Sequence, residues 1–132
     1  MNNKGFTLIE LVATIALLAV ISIISFVSIN SIIKKNKVND CNILINNIKT
    51  ATKEYVSDNR YNVTFINSIN NEDNKLIVGI NANDLISGNY LSSPIINPIT
   101  EKTTSNISIR IELNKDYTVK EVEVSGLNCS IE

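Results

Sequence analysis

The 132-residue chain contains no histidine and no tryptophan. Histidine is the side chain most used for general acid–base catalysis and metal coordination near neutral pH, so the common catalytic constellations lose their usual member. Only four glycines occur, and they form neither a Gly-x-Gly-x-x-Gly fingerprint nor a phosphate-binding loop. The sequence therefore points away from an enzyme, and it predicts no catalytic residue and no cofactor.

Metal-binding and nucleic-acid-binding signals are equally sparse. The two cysteines, Cys41 and Cys129, form no Cys-x-x-Cys motif, which disfavours a zinc site. Glu101 lies near Asn97 in a predicted loop, but one carboxylate is far from the oxygen-rich cage that calcium requires. Twelve basic and thirteen acidic residues leave no basic excess. We therefore predict no metal site, and the charge balance disfavours binding to nucleic acid.

Charge is also missing from one long stretch near the N-terminus. Between residues 6 and 33 the only charged residue is Glu10, and residues 11–29 are apolar apart from one threonine and three serines. This run exceeds the roughly 18–20 residues that a helix needs to span a bilayer. No Ala-x-Ala-like site follows it, so it is not an ordinary cleaved signal peptide. Hydropathy alone leaves a plain single-pass anchor open.

Glu10 distinguishes this run from a simple anchor. A carboxylate at the bilayer centre costs at least about 2.5–3.5 kcal/mol, although a position in the headgroup zone would reduce that cost. The surrounding string, residues 4–11, reads KGFTLIEL. It joins a Lys-Gly dipeptide, an aromatic residue and an intramembrane glutamate at fixed spacing.

This string and the apolar run after it resemble the N-terminus of the type IV prepilin and pseudopilin family. The strict resemblance covers about the first thirty residues. It implies that a prepilin peptidase cuts after Gly5 and methylates the new N-terminus at Phe6, and that Glu10 is the glutamate used in assembly. Many filament-forming members carry a glycine and a proline where this chain has Ala19 and Val27.

The resemblance implies a structural subunit, a major or minor pilin or a pseudopilin, of a type IV pilus or a related secretion or competence filament. Its expected partners are other pilins in a homo- or hetero-polymer, the prepilin peptidase, an assembly ATPase and an inner-membrane platform. Two alternatives stay open. One is a minor pilin acting as an adhesin or DNA receptor, and the other is a membrane-anchored protein that is never cleaved.

The resemblance also implies the location: a single-pass membrane protein with an extracytoplasmic head, and later a cell-surface filament. The lysines that flank the span give mixed signals about its orientation. Lys4 favours a cytosolic N-terminus, whereas the lysines at 34, 35 and 37 favour the reverse. The expected cytosolic leader therefore rests on the family resemblance.

A one-sided helical pattern follows the apolar run. From Val38 to Tyr55, apolar or small residues recur at spacings of three and four, so one helix is predicted from about Phe6 to Ser57. Residues 58–60 break the periodicity. Strand candidates follow at 63–66 and 75–80. A short helical turn then has Asn83 as a possible N-cap and Gly88 just past its end.

The clearest strand signal lies near the C-terminus. Residues 107–113 alternate between aliphatic and polar side chains, residues 114–116 form a turn, and residues 117–124 return. A one-residue slip at Lys120–Glu121 predicts a β-bulge. The predicted fold is α+β and pilin-like: a long N-terminal helix packed on a small antiparallel sheet. The expected segments are a leader at 1–5, a membrane and filament-core helix at 6–33, its amphipathic continuation at 34–57 and a globular head at 58–132.

The exported location favours a disulfide between Cys41 and Cys129, because an even number of cysteines outside the cytosol tends to pair. Cys41 lies on the apolar stripe of the helix with Leu44 and Ile48, and Cys129 follows the last strand. The alternative is that Cys41 is a small core residue and Cys129 an unpaired tail residue.

Overall fold

The first helix dominates the chain. The computed structural model describes residues 5–131, so most of the predicted leader lies outside the described residues. Helix α1 (Leu8–Asn59) is 52 residues long and begins and ends within two residues of the predicted bounds. The chain divides within this helix into two units, with the boundary between Asn36 and Lys37, and each is described by itself. The four predicted segments of the chain stay a prediction.

In the first unit, every hydroxyl of the apolar part of α1 bonds to the helix's own backbone. The Ser22 hydroxyl donates to the Leu18 carbonyl at 2.7 Å and the Ser25 hydroxyl to the Ile21 carbonyl at 2.9 Å. Thr14, Ser28 and Ser31 donate in the same way to carbonyls three or four residues earlier. Such bonds satisfy polar groups locally, as a membrane-spanning segment requires.

The second unit combines the C-terminal part of α1 with a four-stranded antiparallel sheet. Its further elements are α2 (Val63–Asn67), β1 (Asn70–Glu72), β2 (Lys75–Asn81), α3 (Ala82–Ser87), β3 (Ser108–Leu113) and β4 (Val119–Ser125). The strands lie in the order β1-β2-β3-β4. The predicted bulge is confirmed, because Glu112 pairs with Glu121 and Leu113 with Val119, which leaves Lys120 as the extra residue. This is the predicted α+β, pilin-like architecture.

Two local predictions were wrong. Residues 63–66 form the single-turn helix α2 and not a strand, because the side chain of Asn62 accepts a hydrogen bond from the Thr64 N–H and caps a helix there. The turn buries Phe65 and leaves Val63 70 % exposed. The N-cap of α3 is Asn81 and not Asn83, and Gly88 closes that helix as predicted.

The core lies between the inner face of the sheet and one side of α1. Helix residues Cys41, Ile48, Ala51, Thr52 and Val56 are buried there, in agreement with the predicted stripe. The sheet contributes alternate residues of β3 and β4, including Ile109, Ile111 and Val122. The ring of Tyr55 packs edge-on against Phe65 and Tyr90. Apolar burial of this kind supplies the main stabilisation of the unit.

A disulfide ties the chain after β4 to α1. Cys41 and Cys129 are bonded, with their Cα atoms 5.5 Å apart and a sequence separation of 88. Cys41 is completely buried. The structure thus contains the predicted pair, and the bridge closes a loop that includes the whole sheet.

The turn after β4 depends on Gly126. This residue has a φ of +96°, and a Cβ atom would collide with the backbone carbonyl of Asn106. We expect Gly126→Ala to lower the unfolding free energy by about 1–3 kcal/mol, because the alanine must strain or displace the backbone.

The matched control for this variant is Gly79→Ala. Gly79 lies in the middle of β2, and a Cβ there meets nothing within 4 Å. This control should leave stability unchanged or raise it by about 0.4–1 kcal/mol. Urea unfolding followed by tyrosine fluorescence tests both, since all four tyrosines lie between residues 55 and 117. Equal midpoints for the two variants would contradict the prediction.

Candidate processing and assembly site

The junction between Gly5 and Phe6 lies in exposed, irregular backbone. Both residues precede α1, and the Phe6 side chain is 82 % exposed. A Cβ placed on Gly5 meets no atom of the described chain within 4 Å. The chain's own fold therefore sets no steric limit at Gly5, and the backbone on both sides of the junction is open to a second protein.

Thr7 and Glu10 form a reciprocal cap at the start of α1. The Thr7 N–H donates to Oε2 of Glu10 at 2.9 Å, and the Glu10 N–H donates to the Thr7 hydroxyl at 3.4 Å. The Glu10 carboxylate thereby satisfies a free backbone donor of the first turn, and its negative charge lies near the positive end of the helix dipole. The cap accounts for a carboxylate this close to the apolar run.

The cap also positions the carboxylate next to the predicted processing junction. Thr7 directly follows Phe6, so Oε2 of Glu10 is bonded one residue away from the nitrogen that cleavage would convert to an amine. Among residues 5–131, no cation pairs with Glu10. The carboxylate is therefore open to a positive charge from outside the described chain.

The apolar part of α1 has no cover in this structure. Large hydrophobic side chains are exposed all round the helix, among them Leu8, Leu17, Ile23, Phe26 and Ile33. By length and composition, α1 is the one helix of the described residues that could cross a membrane. A helix that is apolar on every side requires lipid or other apolar helices around it.

The described residues of the second unit contain four ion pairs, and every partner except Glu112 is at least one third exposed. Lys37 on α1 bonds to Glu101 in the loop before β3, and this hydrogen bond holds the pKa of Glu101 below its usual value. Glu112 on β3 accepts bonds from Lys120 and Lys75. The hydrogen bond from Lys120 is the largest cause of the lowered pKa of Glu112, while partial burial acts to raise that pKa. Such surface pairs contribute little to stability.

Metal binding gains no support from the geometry. Within the described part of the chain, no three histidine, cysteine or carboxylate side chains lie together as a metal site would need. The side-chain oxygen of Asn97 accepts a hydrogen bond from the Ile99 N–H at 2.8 Å. This bond stabilises the loop that contains Glu101.

Gly5, Phe6 and Glu10 stay the predicted site residues, and the structure adds Thr7, whose part in the cap the sequence analysis overlooked. The signal was present, because Thr-x-x-Glu directly before an apolar run is the pattern of a capping box. In the structure, Glu10 caps the first turn of its own helix.

Comparison with known proteins identifies the N-terminal segment. Residues 1–26 match the family model described as the prokaryotic N-terminal methylation motif, which is the type IV prepilin signature. The match covers 26 of 132 residues and includes the whole of the candidate site. No curated protein and no solved structure matches the chain.

Proposed function

We propose that this chain, which carries the type IV prepilin signature, is the precursor of a filament subunit of a type IV pilus or a related secretion or competence system. The observation that carries the proposal is the N-terminal match, joined to an exposed Gly5–Phe6 junction and an uncovered apolar helix. The subunit is a major or minor pilin or a pseudopilin, and its role is structural and not catalytic.

Processing is the first step of the proposed mechanism. A prepilin peptidase cleaves between Gly5 and Phe6 and methylates the new amine of Phe6. The apolar part of α1 holds the precursor in the membrane before and after this cut, with the second unit on the extracytoplasmic side. The disulfide supports that location, because such bonds persist in oxidising compartments.

Assembly follows by transfer of the apolar helices from lipid into a filament core. An assembly ATPase and an inner-membrane platform are the partners that the signature implies. In the core, the Glu10 carboxylate neutralises the Phe6 amine of a neighbouring subunit. An unpaired charge in such a low-dielectric environment costs several kcal/mol, so subunits that pair are strongly favoured.

Replacement of Gly5 by arginine tests the processing step. Gly5→Arg should leave the precursor uncut, because the peptidase must approach the backbone closely and a long side chain obstructs it. Mass spectrometry of the N-terminus of the membrane-extracted chain measures the outcome. We expect residues 1–5 to be retained in the variant and absent from the unmodified protein, which should begin at methylated Phe6.

A matched control places the same side chain elsewhere in the leader. Asn3→Arg adds an equal charge two residues before the junction and should be processed normally. Because the chain itself leaves space around Gly5, a defect confined to Gly5→Arg is a defect in recognition by the peptidase. Normal cleavage of Gly5→Arg, or an unmodified protein that keeps residues 1–5, would refute the proposed processing.

A further inference from the structure

A cleft in the second unit lies between the end of α1 and the turn that joins β3 to β4. It encloses about 170 Å³. Two cationic residues line it, Lys53 on α1 and Arg60 directly after the helix ends. The rest of the lining includes the hydroxyl residues Ser57 and Thr118 and the apolar residues Val56 and Val119. Cations and hydroxyls above an apolar floor suit a carboxylate on a short aliphatic stem.

The cations of this cleft form no contact ion pair within the described chain, although the Asp116 carboxylate lies close enough to Arg60 to attract its charge. Neither Lys53 nor Arg60 forms an ion pair among residues 5–131. The Nε atom of Arg60 is buried and lacks a hydrogen-bond acceptor, which is costly for a charged donor. The nearby Asp116 carboxylate accepts bonds from the backbone and the hydroxyl of Thr118 instead. The cleft therefore has donors to offer to another molecule.

The outer face of β4 carries the complementary charge. Glu121 and Glu123 are exposed, and neither forms an ion pair among the described residues. Glu121 lies directly opposite Glu112 on β3, and like charges in that arrangement repel. Because Lys75 and Lys120 already bond to Glu112, an additional cation would relieve the repulsion at Glu121.

We propose that the Lys53–Arg60 cleft of one copy binds the Glu121–Glu123 surface of a second copy. The inference rests on the proposed filament function and names a contact within it. The two surfaces lie on different parts of the same unit, so the contact is heterologous. A heterologous contact that does not close into a ring generates an open helical polymer.

Charge reversal on both sides tests this contact in the full-length protein. Lys53→Glu with Arg60→Glu should lower the yield of sheared filaments at least about tenfold in a strain without the unmodified copy, since like charges then face each other. Glu121→Lys with Glu123→Lys should do the same. All four changes together should restore the yield to within about threefold of the unmodified protein, because the attraction is rebuilt with its signs exchanged.

Loop substitutions provide the matched control. Lys102→Glu with Lys115→Glu makes the same change in net charge outside the cleft lining and should leave the yield unchanged. Thiol labelling shows whether each variant keeps its disulfide and hence its fold. If the cleft variant misfolds, the Glu121→Lys and Glu123→Lys variant still tests the contact, because it changes only the acidic surface and leaves the cleft intact.

The outcomes separate this contact from the broader proposal. Normal filament yield in either reversed variant, or no recovery in the fourfold variant, would overturn the contact alone. The contact would also be overturned if the cleft variant formed filaments in normal yield but those filaments no longer bound DNA. That result would make the cleft a phosphate-binding site. Absence of filaments from the unmodified protein would overturn the filament function as well.

Discussion

Replacing Cys41 and Cys129 together by alanine is expected to lower the unfolding free energy of the second unit by about 4–5 kcal/mol. The bridge joins residues with a sequence separation of 88, so its loss returns a large amount of conformational freedom to the unfolded chain. Domains of this size are stable by only about 5–15 kcal/mol in total. The double variant should therefore be unfolded or close to unfolding at 37 °C.

Urea unfolding of the detergent-solubilised chain measures this loss through tyrosine fluorescence. Reduction of the unmodified protein is the matched control, since it breaks the bridge without changing the packing volume at the buried Cys41. The reduced protein should unfold at a much lower urea concentration, and the double variant should not respond to the reductant. Identical midpoints before and after verified reduction would show that the bridge adds nothing.

Replacement of Glu10 by valine should nearly abolish filaments while leaving insertion and cleavage intact. Valine suits lipid at least as well as glutamate, and the Gly5–Phe6 junction is unchanged. In the proposed filament core, however, the variant would leave the Phe6 amine of a neighbour without a counter-charge, at a cost of several kcal/mol. Electron microscopy of a strain without the unmodified copy measures filaments, and mass spectrometry measures cleavage.

Two further variants separate charge pairing from helix capping at this position. Glu10→Gln keeps the shape of the side chain and can still accept from the Thr7 N–H, but it carries no charge. Thr7→Val keeps the charge and removes the hydroxyl that accepts from the Glu10 N–H. We expect few filaments from the first and many from the second. Abundant filaments from Glu10→Gln or Glu10→Val would rule out charge pairing as the role of Glu10.

The sequence predicted those elements whose patterns are long and strongly periodic. Strand β3 alternates over its whole length, whereas the alternation of residues 117–124 slips once at Lys120–Glu121, and this slip predicted the bulge. Strand β1 (Asn70–Glu72) escaped prediction because it contains only polar residues and exists through its pairing with β2. At Val63–Asn67, strand propensity was overruled by a capping asparagine and by burial of Phe65.

The two candidate sites differ in how far apart their residues lie in the sequence. Gly5, Phe6 and Glu10 lie within six consecutive residues, so a local string is enough to predict them. The Lys53–Arg60 cleft requires the end of α1 to meet the turn near residue 118, more than fifty positions further along the chain. Nothing in the local sequence distinguishes Lys53 or Arg60 from ordinary solvated residues. Only the folded chain brings these residues together.

The hydroxyls of the apolar helix bear on how a bundle of such helices responds to force. A serine such as Ser22, which already donates its proton to its own backbone, has none left for a neighbouring helix. Neighbours then adhere mainly through dispersion forces, which resist separation but favour no particular axial register. Under tension, such helices can slide along one another by small steps without breaking directional bonds. The one strongly directional contact of each subunit would be the ion pair of Glu10. Each helix would therefore be fixed axially at that one point, and the rest of its length could slide against its neighbours.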